Sequence, residues 1–172
     1  MNVLSTIGEL KKDTYVNFKS RPDVKQAEDD FKYLCTSSYC VVLHNMGLLG
    51  VSKSGKHLMN VACVPVKSED KQTAFPKSEV RLDDPKMYIA TVHYKDGKAK
   101  DVLCLPASLF QNVKPETGFS KFLNKVLMRK PVVGVNDSGE YVLNISGAKA
   151  QNLRKYAFGN IISQLGSEPA AK

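Results

Sequence analysis

The stretch 86–106, KMYIATVHYKDGKAKDVLCLP, decides the fold class. Two runs rich in β-branched and aromatic residues, Met87 to Tyr94 and Ala99 to Pro106, flank Asp96-Gly97. That dipeptide favours a two-residue type I′ turn, in which both central residues take positive φ. Such a turn predicts the register: Lys95 faces Lys98, Tyr94 faces Ala99 and His93 faces Lys100. Towards the root the pairs are Thr91 with Val102, Ala90 with Leu103, Ile89 with Cys104 and Tyr88 with Leu105. One face thus grades from apolar at the root to three lysines and a histidine at the tip. Like charges directly opposite one another are destabilising, so a bound anion would relieve the tip.

Outward from the hairpin, residues 86–130 hold nine Lys/Arg against three acids, which is +6 of the chain's net +8. Residues 1–85 nearly cancel, with twelve bases against eleven acids. The bases are 21 Lys to 4 Arg. Arginine's flat fork reads a single phosphate or base edge, whereas lysine is a hydrated point charge, so this balance points to a polyanion backbone with little sequence readout. A second basic row follows in a helix over 118–129, where Lys121, Lys125 and Arg129 recur at i, i+4 and i+8 without Glu partners. The same helix carries an apolar stripe, Phe119, Phe122, Leu123, Val126 and Leu127, which predicts a core-facing side.

The rest of the chain reads as one α+β domain over 22–166, with antiparallel hairpins, about three main helices, an arm at 1–21 and a tail at 167–172. Val3, Leu4, Ile7 and Leu10 suit a docking or oligomer-forming helix in the arm, and Thr14 to Arg21 reads as extended. Pro22 opens a helix running to about Cys35. Tyr39 to Met46 is a strand, Gly47 to Gly50 a turn or bulge, and His57 to Lys67 the longest strand. The unbroken apolar run Val61 to Val66 predicts cover on both faces, and Pro65 predicts an edge or bulge. Residues 68–86 read as a mobile loop. A second hairpin, Val132 to Asn136 and Glu140 to Ser146, precedes a last helix with Leu153, Ala157, Ile161 and Leu165 inward. Hairpin, helix, hairpin, helix suggests a ββα duplication.

No catalytic residues are assigned. A nuclease of the restriction-endonuclease type needs two carboxylates on adjacent strands to hold Mg²⁺ and a Lys two residues beyond the second. Here the position two before Lys67 is Pro65, and Pro22-Asp23 with Asp30-x-Lys32 falls within one helix. A degenerate relative of that fold and a protein-interaction module are the alternatives to nucleic-acid binding. His44, His57 and His93 have no acid at catalytic spacing, and Cys35, Cys40, Cys63 and Cys104 read as reduced core thiols rather than a metal site. No cofactor motif occurs. Apolar runs fall far short of the roughly 20 residues of a membrane span. With no signal peptide in Met1 to Asp13, a cytoplasmic location is expected.

Repeated antiparallel strands each followed by a helix resemble the whirly type of single-stranded nucleic-acid-binding fold. Gly97-Lys98-Ala99 is similar to part of the lysine-glycine-lysine-alanine stretch of its plant members. The resemblance spans 39–165 and implies single-stranded RNA or DNA as partner and assembly into oligomers; the helix Pro22 to Cys35 ahead of the strands departs from it. The expected contacts come from this chain's own residues: His93, Tyr94, Lys95, Lys98 and Lys100 in one patch, Lys121, Lys125 and Arg129 in a second. Single strands are held by a positive groove with rings on which bases stack, and Tyr94 is the stacking candidate.

Overall fold

Pro22 at the first helical turn and a stripe of Val24, Ala27, Phe31 and Cys35 build helix α1, Pro22–Ser37. The computed structural model describes residues 18–45, 48–68, 72–113, 132–144 and 152–167, together with 119, 122 and 126. The strands are β1 (Val41–Asn45), β2 (Leu48–Lys53), β3 (Lys56–Lys67), β4 (Thr73–Phe75), β5 (Met87–Lys95), β6 (Lys98–Pro106), β7 (Val133–Val135) and β8 (Tyr141–Leu143), followed by helix α2 (Phe158–Ser167). Five strands form one sheet in the order β1-β2-β3-β5-β6, and three form a second in the order β4-β8-β7.

Three layers result. On one face of the large sheet, Ala27 and Phe31 of α1 and Phe158, Ile161 and Ile162 of α2 cover Met59, Val61, Cys63, Ala90 and Val92. Phe31 and Phe158 meet edge to face at 5.6 Å. On the other face, Ala62, Val64, Val66, Ile89, Leu103 and Leu105 pack on the small sheet and its aromatic cluster, in which Phe110 lies 5.8 Å from Phe75 and 5.1 Å from Tyr141. The continuous apolar run Val61 to Val66 is therefore covered on both sides, as its composition requires. The chain is a single α+β domain.

Several expectations are corrected. The large sheet is mixed, because β3 runs parallel to β5 while every other paired neighbour is antiparallel. Leu48 to Lys53, expected to begin as a turn, is strand β2. Its Gly50 is there because a Cβ would stand 2.8 Å from Cε1 of His57. Residues 18–20, expected to be extended, are helical, and Phe18 is buried. Within the loop expected at 68–86, strand β4 and a 3₁₀ turn at Lys77–Glu79 form, with Phe75 wholly buried and Glu79 and Val80 buried after it. Phe119, Phe122 and Val126 are helical, but at 73%, 63% and 61% exposed they do not face the core. Leu123 and Leu127 of that stripe, the arm 1–17 and Ser146 lie outside the described residues.

Pro65 sits where its missing N–H costs least. β2 pairs with β3 only as far as Val61, so from Ala62 onward β3 is an edge on that side while β5 pairs with the other. The two hairpins of the suggested duplication are unlike: β5 and β6 have nine residues each and lie in the large sheet, whereas β7 and β8 have three each in the small one. The last helix begins at Phe158 after a 3₁₀ turn at Arg154–Tyr156, with Leu153 and Ile161 buried as expected.

Candidate nucleic-acid interface

Asp96 and Gly97 have φ of 53° and 75°, the mirror-image turn whose twist matches the flanking strands. Lys95 and Lys98 stand opposite one another across it, and Tyr94 stands opposite Ala99. Lys95, Lys98 and Lys100 are exposed, and among the described residues none of them is ion-paired. Two like charges are thus held face to face by the backbone.

Below that pair the register departs from expectation. The ladder shifts between His93 and Tyr94, so Lys100 is the extra residue and His93 faces Asp101 rather than Lys100. Thr91 then faces Leu103, Ala90 faces Cys104, Ile89 faces Leu105 and Tyr88 faces Pro106. The cause is visible at Val92, which is wholly buried. An unbroken ladder would set the Asp101 carboxylate opposite it; the bulge sets Val102 there and moves Asp101 outward, since an unpaired buried charge is costly. Asp101 accepts from the Val102 N–H at 2.9 Å and lies 3.5 Å from Nη1 of Arg154.

The structure also changes the parts played by His93 and Tyr94. His93 is half-buried with Nε2 2.9 Å from the hydroxyl of Thr91, and Thr91 is wholly buried. Burial lowers its pKa below 6.5, against an opposing pull from Asp101, so the ring is neutral at pH 7 and adds no charge to the patch. Tyr94 donates from Oη to Oδ2 of Asp30 at 2.5 Å, which ties the hairpin to α1. Burial first, and then the Asp30 carboxylate, raise the Tyr94 pKa well above its usual 10. Its ring is committed to the protein interior side of the sheet, beside the α1 layer.

An aromatic that sequence reading passed over stands next to the tip. Tyr33 of α1 is 77% exposed. It lines a groove of about 600 Å³ between α1, the hairpin tip and the start of α2, together with Gln26, Lys98, Lys100 and Phe158. Both acids in that groove have partners within the protein: Asp30 accepts from Tyr94 and from Nε2 of Gln26 at 3.2 Å, and Asp101 faces Arg154. The donors to Asp30 are neutral, so its negative charge stays in the groove, while Lys98 and Lys100 are the exposed cations that line it. The available signal was a large aromatic lying off the apolar stripe of an amphipathic helix, where side chains face water.

Lys121, Lys125 and Arg129, the second expected patch, lie outside the described residues. Elsewhere, His57 Nε2 is 2.9 Å from Oδ1 of Asn60, whose Nδ2 donates to Asp84 Oδ2 at 2.7 Å, a chain that ties β3 to the turn before β5. All four cysteines are free and buried. Burial, with Cys40 adding to it, pushes the Cys35 thiol up to about 12, and burial raises Cys63 and Cys104 as well, so these thiols stay protonated. Strands β2 and β3 contain no Asp or Glu. Among the described residues no group of three His, Cys, Asp or Glu is placed to hold a metal ion, and no helix is long and apolar enough to cross a membrane.

No protein-family model matches the chain, nor does any curated protein or solved structure.

Proposed function

We propose that this protein is a non-enzymatic binder of single-stranded RNA or DNA that holds its ligand mainly by the phosphate backbone. The observation that carries the reading is the tip of the β5–β6 hairpin: Lys95 and Lys98 face each other, Lys100 is displaced by a bulge, and the groove alongside presents Tyr33. A phosphate between two opposed lysines removes their repulsion, and a ring beside it offers a base a stacking surface at about 1–3 kcal/mol. Tyr33 takes the stacking role in this reading, while Tyr94 and His93 position the hairpin from within. The row Lys121, Lys125 and Arg129 extends the basic surface in sequence. Lysine in place of arginine favours weak dependence on base sequence.

The reading is tested by anisotropy titration of labelled single-stranded RNA, single-stranded DNA and duplex DNA against the intact protein and a Tyr33→Ala variant. Single strands are expected to bind more tightly than duplex, and Tyr33→Ala to weaken them roughly 5- to 100-fold, the equivalent of one stacked base. Failure of all three nucleic acids to bind at low salt would sink the proposal.

A further inference from the structure

The two edges of the five-stranded sheet are built differently. β6 carries Lys98 and Lys100, a bulge, Pro106 at its end and a bridge from Leu103 to Ala157. Each of these discourages another strand from pairing with an edge. β1, the opposite edge, has none of them. Val41-Val-Leu-His-Asn45 contains no Lys, Pro or acid, and pairs with β2 on its inner side without a shift. Val41 and Leu43 are 58% and 52% exposed, and Tyr39 just before them is 89% exposed. An uncharged, unbent edge with apolar side chains is a template for strand pairing.

We infer that β1 is the contact between two copies of this chain, joined antiparallel about a two-fold axis at Leu43. The sequence of the strand is self-complementary in that arrangement. Leu43 meets its own copy, Val42 meets His44, and Val41 meets Asn45, so all five residues of β1 are paired. Val41 and Leu43 of both copies then form one continuous apolar row of four side chains on one face. Charge selects a second copy over other occupants. An acidic peptide or a nucleic acid would find no Lys or Arg on this strand, whereas two copies of β1 meet with no Lys, Arg, Asp or Glu of the strand between them. The lysine-bearing hairpins end up at the far edges of a continuous sheet built from two sets of five strands, roughly 43 Å apart at about 4.8 Å per strand. The inference does not rest on nucleic-acid binding. Stable complexes bury about 1,200–2,000 Å². One five-residue strand pair lies at or below the low end, so the dimer dissociates on dilution.

Sedimentation velocity over a dilution series of the full chain tests this, with Leu43→Lys and Leu43→Glu alongside. The wild type is expected to shift from dimer to monomer on dilution. Each variant alone, setting like charges across the axis, is expected to raise the dissociation constant at least about tenfold. An equimolar mixture of the two, setting Glu against Lys, restores the dimer. Val41→Lys, opposite the uncharged Asn45, weakens it less than Leu43→Lys. Circular dichroism on each variant confirms the fold. A wild type that stays monomeric at every concentration overturns the inference, as does a dimer whose affinity neither variant alters or a mixture that fails to restore it.

Discussion

Tyr94 Oη and Asp30 Oδ2 lie 2.5 Å apart, a side-chain hydrogen bond that joins the β5–β6 hairpin to helix α1. It sets the wall of the groove in which Tyr33 and the tip lysines come together. Tyr94→Phe removes the donor and leaves a partly buried carboxylate with Gln26 alone, so unfolding free energy is expected to fall by about 1–3 kcal/mol. The bond also has a pH signature. Because the folded pKa of Tyr94 is raised above 10, its stabilisation is complete below pH 10 and is lost as pH rises beyond it. Urea titrations at pH 8 and above should show wild-type stability falling faster than that of Tyr94→Phe. Parallel falls would refute the assignment.

His93 carries the opposite sign. Its folded pKa is lowered, so its contribution is complete above 6.5 and is lost as pH falls through the folded value. NMR titration should find the His93 ring ionising below 6.5, and lower still in Asp101→Asn, where the opposing carboxylate charge is gone. A ring that ionises above 6.5 would contradict this, because the attraction of Asp101 would then outweigh burial.

Exposure separates two sets of phenylalanines. Phe110 is 1% exposed within the aromatic cluster, and Phe110→Ala should cost about 3–5 kcal/mol. Phe119 and Phe122 are 73% and 63% exposed, and Phe119→Ser or Phe122→Ser should change stability by no more than about 0.5 kcal/mol. Equal losses at Phe110 and Phe122 in chemical denaturation would return that helix to the core.

Gly50 and His57 should be coupled. A methyl at residue 50 meets the His57 ring, which is held against Asn60, so Gly50→Ala is expected to cost about 1–3 kcal/mol. In a His57→Ala background the cost should largely vanish. An additive double-mutant cycle would show that the ring does not set the limit.

Local chemistry was legible in the sequence, and tertiary choices were not. Asp96-Gly97 announced its turn, Val24, Ala27 and Phe31 announced the buried face of α1, and the run Val61 to Val66 announced a strand with two covered faces. The bulge at Lys100 was hidden because it depends on where the Asp101 carboxylate can sit once Val92 is buried. β2 was hidden because Gly50 reads as a breaker unless the His57 ring is known to cross it. The parallel pairing of β3 with β5 joins segments that no short-range pattern relates. Tyr33 was overlooked for the reason that makes it a candidate: it belongs to no apolar stripe.

The salt dependence of single-strand affinity tests the central claim most directly. For single strands the slope of log K against log salt is about −0.7 per phosphate contacted, so Lys95/Lys98/Lys100→Ala should weaken binding and make the slope shallower by roughly 2. A triple variant that keeps both the wild-type affinity and the wild-type slope would contradict the account, because the ligand would then lie elsewhere than on this hairpin.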